Sequence, residues 1–140
     1  MILQLTVFLQ NEKGTLSRLT RTIADADINM HAMFLSDTAE FGIARIFCDA
    51  PEKVAEMLTD AGFRAAVTPV NAVHVPNEPG GLARLLDFCN SADINIEYAY
   101  CFKVGDDTAI DVFKVENENI DEALRQAGFK IAEPEDIYAF

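Results

Sequence analysis

The feature that most constrains the fold of this chain is an internal repeat with an offset of 66 residues. The stretch NEKGTLSRL begins at Asn11 and returns as NEPGGLARL from Asn77. The two copies align without a gap from residue 7 to residue 66, and ADIN at Ala26 recurs at Ala92. A gapless match of this length indicates two copies of one folding unit, each long enough to be a small domain.

Each copy contains the same order of predicted elements: strand, helix, strand, strand, helix, strand. Apolar residues at a helical spacing define the first helix of each copy, at Leu16, Leu19 and Ile23 and at Leu82, Leu85 and Cys89. The order predicts an α+β fold with two ferredoxin-like (βαββαβ) units, packed side by side. Each would have an antiparallel sheet with its helices on one face. We place the domains at residues 1–69 and 70–140. Asp136–Phe140 aligns with the opening strand of the second copy and is predicted to begin a further strand.

The composition argues against several classes of partner. The formal net charge is −12, so the chain should repel nucleic acid and anionic lipid, and neither is expected as a partner. The three cysteines have no CxxC spacing, which fits a reducing compartment better than a disulfide framework. The N-terminus lacks the basic start of a signal peptide, and no apolar run approaches the roughly 20 residues of a membrane span. We therefore expect a cytoplasmic protein.

Catalysis and metal binding have little support in the sequence. Of the two histidines, His31 aligns with Glu97 in the repeat, so no metal-binding pattern is duplicated. Neither a Walker loop nor a recognisable Ser, His and Asp motif is present. We expect no enzyme, no metal and no cofactor.

The repeated glycine loop has two interpretations. A glycine-bearing loop that enters a helix presents backbone N–H groups to an anion, and the Asn and Glu at its start could accept from a cation. An amino acid carries both charges. Alternatively, Gly14, Gly80 and Gly81 only make turns, and Asn11 and Asn77 only cap them.

The second loop resembles a known family signature. PNEPGGLARLLDFCNSADINIEYAY resembles the ACT domain: a loop with proline and glycine, a helix, then ADINI leading into the second strand. NEKGTLSRLTRTIADADINMHAM resembles it less fully, with Lys13 in place of the proline. The chain therefore resembles a stand-alone tandem ACT protein without a catalytic domain. The resemblance implies a ferredoxin-like fold and a regulatory role in which small molecules, most often amino acids, are bound between paired ACT units.

The resemblance also implies the site residues. The loop positions are Asn11, Glu12, Lys13, Gly14, Thr15 and Leu16, with Asn77, Glu78, Pro79, Gly80, Gly81 and Leu82. The strand positions are Ile28, Asn29, Met30 and His31, with Ile94, Asn95, Ile96 and Glu97. Because the second loop has a proline and two successive glycines, we expect it to hold the tighter site.

The leading hypothesis is an amino-acid-binding regulatory protein, whose partner is a free amino acid. The alternative is a protein-interaction scaffold that docks on and regulates a separate metabolic enzyme and has a vestigial ligand site. Formation of a homodimer is left open. A ligand-dependent rise in melting temperature would distinguish the first hypothesis from the second.

Overall fold

The structure is a computed structural model that describes residues 1–37, 40–116 and 119–138. Within these residues the chain forms seven strands and five helices, which confirms the α+β prediction. The strands are β1 (Ile2–Gln10), β2 (Met30–Asp37), β3 (Phe41–Cys48), β4 (Arg64–Pro76), β5 (Ile96–Val104), β6 (Thr108–Val115) and β7 (Lys130–Ile131). The helices are α1 (Thr15–Asp25), α2 (Pro51–Asp60), α3 (Gly81–Ser91), α4 (Asp121–Gln126) and α5 (Pro134–Ile137).

The chain divides into two compact units. The first unit contains Leu3–Thr68 together with Ile137 and Tyr138. The second contains Pro69–Asp136 together with Met1 and Ile2. Strand β4 therefore begins in the first unit and ends in the second.

The first unit has the strand order β2-β3-β1-β4, and β3 runs antiparallel to both β2 and β1. Alternate residues of β1 point toward the two helices, as the period of two in a strand requires. Its core consists mainly of Leu5, Val7, Leu9, Leu19, Ile23, Ala44, Ile46, Val54, Leu58 and Phe63. Helices α1 and α2 thus cover one face of the sheet.

The second unit repeats this arrangement with β5, β6, the second half of β4, and β7, all paired antiparallel. Its core consists mainly of Val73, Val75, Leu85, Cys89, Phe113, Val115, Ile120, Leu124 and Ile131. Helices α1 and α3 begin and end at equivalent residues of the two copies. The first helices of the two units are therefore separated by the same 66 residues as the sequence repeat.

The repeated ADI and AGF stretches end the helices. Asp27 and Asp93 have φ of 59° and 56°, and Gly62 and Gly128 have φ of 92° and 90°, all in the left-handed region. After each of these residues, a backbone N–H donates to a carbonyl five residues earlier, as from Phe63 to Leu58 at 2.9 Å. This is the Schellman arrangement, in which Gly is favoured and Asp is tolerated at the left-handed position.

The strand predicted at Asp136–Phe140 is corrected by the structure. Pro134–Ile137 form helix α5, while residues 139 and 140 lie outside the described part of the chain. Pro134 suits the first helical position, and the Glu133 N–H donates to the Asp136 carboxylate at 2.9 Å. This hydrogen bond lowers the pKa of Asp136, with a smaller contribution from His74 nearby. These contacts at the helix start explain why the segment is helical although it aligns with the opening strand of the second copy.

A buried polar pair distinguishes the second core from the first. Asn71 and Asp121 are both buried, and the Asn71 side-chain amide donates to the Asp121 carboxylate at 2.8 Å. The Met1 amino group also lies 2.8 Å from this carboxylate. In the repeat alignment the equivalent residues of the first copy are Leu5 and Ala55, which are both buried and apolar.

Candidate functional site

The glycine loop of the first unit makes a tight entry into helix α1. Gly14 is the N-cap residue with φ of 90°, a conformation that glycine adopts without steric cost. The loop is held by backbone hydrogen bonds from Glu12 to Gln10 at 2.8 Å and from Thr15 to Glu12 at 3.3 Å. Within the described residues, no side chain caps the helix start. The loop therefore leaves the beginning of α1 accessible to a ligand.

A cleft of about 600 Å³ lies against this loop. Its lining combines the end of β1, the loop, the start of β3, and the turn that leads from α2 into β4. The lining residues are Phe8, Leu9, Gln10, Glu12, Lys13, Gly14, Thr15, Arg18, Phe41, Gly62, Phe63 and Arg64. This volume lies within the range of small-molecule pockets.

Basic side chains dominate the charges of this cleft. Lys13, Arg18 and Arg64 line it, and Glu12 is the acidic residue among the lining residues. The Arg18 guanidinium carbon lies 4.1 Å from the centre of the Phe63 ring, and that of Arg64 lies 5.6 Å from the Phe8 ring. Both arginines thus rest over aromatic rings, a favourable cation–π placement.

The glycine loop of the second unit is bonded internally. The Asn77 side chain donates to the Gly105 carbonyl at 2.8 Å, and the Asn77 backbone N–H donates to Asp107 at 2.9 Å. Glu78 forms an ion pair with Arg84 at 2.8 Å. These contacts use polar groups of Asn77 and Glu78, two residues that were predicted from the sequence to contact a ligand.

Gly81 has a structural reason to be glycine. A Cβ atom at this position would collide with the Pro76 carbonyl oxygen, which is backbone and cannot be displaced cheaply. At Gly80, with φ of 86°, the requirement is the left-handed conformation rather than space. The two successive glycines are therefore explained by the turn, without reference to a bound anion.

The strand positions of the first copy do not line the 600 Å³ cleft. Ile28 and Met30 pack against the first core. The His31 Nε2 atom lies 2.7 Å from an Asp49 carboxylate oxygen, and its Nδ1 atom is 3.4 Å from the Asn29 amide. Within the first unit, the polar side chains of Asn29, His31 and Asp49 therefore interact with one another.

The strand positions of the second copy are split between a core and a shallow cleft. Ile94 and Ile96 pack against the second core. Ile94 and Asn95 also line a cleft of about 280 Å³, while Glu97 is exposed on β5. This cleft is distinct from the second glycine loop, because its other lining residues are Ala92, Asp93, Val115, Glu116 and Ile120.

Several residues of the first cleft were missed by sequence reasoning. Phe8, Phe41, Phe63 and Arg64 lie outside the repeated loop motif, and Arg18 was not among the predicted site residues. They are remote in sequence and meet only because α2 returns the chain beside the end of β1. Phe63 and Arg64 directly follow Gly62, the glycine that ends α2. Their position could have indicated a place in the site, because residues at a helix end lie near neighbouring loops.

The cysteines give no evidence of reactivity. Cys48 and Cys89 are buried, as expected for small apolar residues, whereas Cys101 is exposed. Burial, assisted by Asp49, raises the pKa of Cys48 to about 12. Burial also raises the pKa values of Cys89 and Cys101, so a nucleophilic thiolate is disfavoured at all three.

The described part of the chain contains no group of three or more His, Cys, Asp or Glu side chains placed to hold a metal ion. None of its helices is both long and apolar enough to cross a membrane.

Comparison with known proteins identifies the family. The family model for an ACT domain pair matches residues 1–136. The chain belongs to the ACT domain pair family. No match was found among curated proteins. The recognition made from the loop and ADIN residues is thereby confirmed, and the ACT pair is a regulatory domain.

Solved structures share the fold of this chain. Protein BT0572 from Bacteroides thetaiotaomicron is 32% identical to this ACT pair, with a TM-score of 0.87 over 96% of this chain and 94% of that chain. The ligand-free regulatory subunit of aspartate kinase from Thermus thermophilus is 14% identical, with a TM-score of 0.67 over 90% of this chain and 89% of that chain. The second likeness shows the fold alone.

Proposed function

We propose that this ACT domain pair is a regulatory protein that binds a free amino acid and carries out no chemistry. The observation that carries the proposal is the 600 Å³ cleft against the first glycine loop. This loop is one of the two places where the family resemblance locates a ligand. The cleft offers basic groups for a carboxylate and the Glu12 carboxylate for an ammonium group.

The proposal assigns the principal site to the first loop, which revises the preference for the second. The extra glycine of the second loop is needed for close backbone packing at Pro76. Its Asn77 and Glu78 side chains are engaged with the protein. Among the described residues, no ion pair joins Glu12 to Arg18, the counterparts of Glu78 and Arg84, and the first loop adjoins the 600 Å³ cleft.

The test is a thermal-shift screen of the purified chain against the twenty amino acids. A ligand at about 100 times its dissociation constant adds roughly 2.7 kcal/mol to the folded state. For a chain of this size, that should raise the melting temperature by several degrees. The D-enantiomer of each hit is the matched control and should have little effect. A flat response to all twenty at millimolar concentration would contradict the proposal.

One observation favours the docking scaffold as a second function. Met33, Phe34 and Leu35 are consecutive residues of β2, and each is more than 40% exposed. Strand β2 is an edge strand of its unit, and apolar edge strands favour pairing with another chain. A flat ligand screen, together with oligomerisation in light scattering that Leu35→Lys abolishes, would support β2 as a protein-interaction surface, which a scaffold that docks on a metabolic enzyme requires.

A further inference from the structure

We infer that the cleft of the first unit is selective for amino acids whose side chain is negatively charged, with a carboxylate or phosphate group. This inference rests on the proposed function and names the class of ligand. It depends on the charges of the cleft and on how the two copies of the repeat differ.

The cleft concentrates positive charge in an acidic protein. The chain has 11 basic residues against 23 acidic ones. Three of the basic residues, Lys13, Arg18 and Arg64, line this one cleft, where Glu12 is the acidic lining residue. Among the described residues, none of these three cations has a carboxylate within ion-pair distance. Such an uncompensated group of cations favours an anionic ligand.

The equivalent residues of the second unit pair with each other instead. The glutamate and arginine of the first loop, Glu12 and Arg18, are repeated as Glu78 and Arg84. Glu78 and Arg84 form an ion pair at 2.8 Å. Arg18 instead lies over Phe63, so both Glu12 and the Arg18 guanidinium can contact a ligand.

The difference has a packing cause. In the second unit the ring of Phe129 packs against Phe88, with centroids 5.6 Å apart. The residue equivalent to Phe88 in the first copy is Thr22, which cannot cover the equivalent ring of Phe63. Arg18 covers that ring instead. The loop arginine therefore lies over the ring in the unit that lacks the second phenylalanine and pairs with glutamate in the unit that has it.

The charge requirement excludes a neutral amino acid as the best ligand. The α-ammonium group can contact Glu12, and the α-carboxylate can contact one of the cations. The remaining cations then have no counter-charge unless the side chain supplies one. Because guanidinium groups held over aromatic rings lose little freedom on binding, a side-chain carboxylate or phosphate should bind them well.

Titration calorimetry tests this inference with isosteric ligands. L-Aspartate and L-glutamate should bind at least about tenfold more tightly than L-asparagine and L-glutamine, which have the same shape without the charge. O-phospho-L-serine distinguishes a phosphate preference from a carboxylate preference. If the amides bind as tightly as the acids, the inference is wrong while the proposed function stands. If no amino acid binds, both fail.

Variants of the chain test which residues cause the preference for acidic ligands over the amides. Arg18→Gln should weaken aspartate or glutamate binding by about tenfold or more and remove the preference over the amides. Arg84→Gln changes the equivalent residue of the second unit and should leave affinity unchanged. Arg64→Gln provides a second variant in case Arg18→Gln does not fold, as judged by melting of the ligand-free protein. Equal losses in Arg18→Gln and Arg84→Gln, or unchanged affinity in both cleft variants, would overturn the inference.

Discussion

Gly81→Ala is expected to destabilise the protein by about 3 kcal/mol, because an alanine Cβ would collide with the backbone. The atom nearest to this Cβ would be the Pro76 carbonyl oxygen. Relief requires a shift of strand β4 or of the start of α3, and either movement disturbs the core around Leu85. Urea denaturation followed by circular dichroism measures the change.

Two controls separate collision from conformational strain. Thr15→Ala changes the equivalent residue of the first copy and should alter stability by no more than about 0.5 kcal/mol. Gly80→Ala places a Cβ where nothing lies within 4 Å but keeps the left-handed φ of 86°. It should cost about 1 kcal/mol. A Gly81→Ala variant as stable as Gly80→Ala would contradict the assigned role of Gly81.

Asp121→Ala is expected to cost about 3 kcal/mol, because it removes one partner of a buried, charged hydrogen bond. The Asn71 amide would lose its acceptor in an interior where both residues are almost inaccessible to solvent. Loss of a partner for a buried donor costs more than the net value of the bond itself. Chemical denaturation at neutral pH provides the measurement.

The first copy of the repeat indicates a second substitution that should restore stability to the Asp121→Ala variant. Its equivalent pair, Leu5 and Ala55, fills the same positions without polar atoms. The double variant Asn71→Leu, Asp121→Ala should therefore recover roughly half or more of the stability lost by Asp121→Ala alone. If the double variant is less stable than the sum of the two single changes predicts, the polar pair has a role that the apolar pair cannot replace.

Much of the fold was predictable because its determinants are local or repeated. The spacing of Leu16, Leu19 and Ile23 is enough to place α1, and the 66-residue offset then places α3. The left-handed helix ends at Gly62 and Asp27 coincide with the repeated AGF and ADI stretches. Local signals of this kind do not depend on tertiary packing.

The candidate site was less predictable because it depends on contacts between distant residues. The motif indicated loop positions in both copies, yet Arg18 and Arg84 have different partners in the two units. The two copies also differ nearby, because Phe88 packs against Phe129 in the second unit whereas the equivalent residue of the first copy is Thr22. The polar pair of Asn71 and Asp121 was missed for the same reason, since neither residue carries a local signal of its partner.

The most direct test of the central claim is a nuclear magnetic resonance titration of the ¹⁵N-labelled chain with its strongest amino-acid ligand from the thermal-shift screen. Binding at the first cleft predicts that the largest amide shifts occur at Gly14, Thr15, Phe63 and Arg64, which belong to the loop and to the turn beside it. The backbone amides of Asn77, Glu78 and 80–82 in the second loop should shift little. Largest shifts at Asn77–Leu82, or no shifts at ligand saturation, would contradict the assignment of the amino-acid site to the first unit.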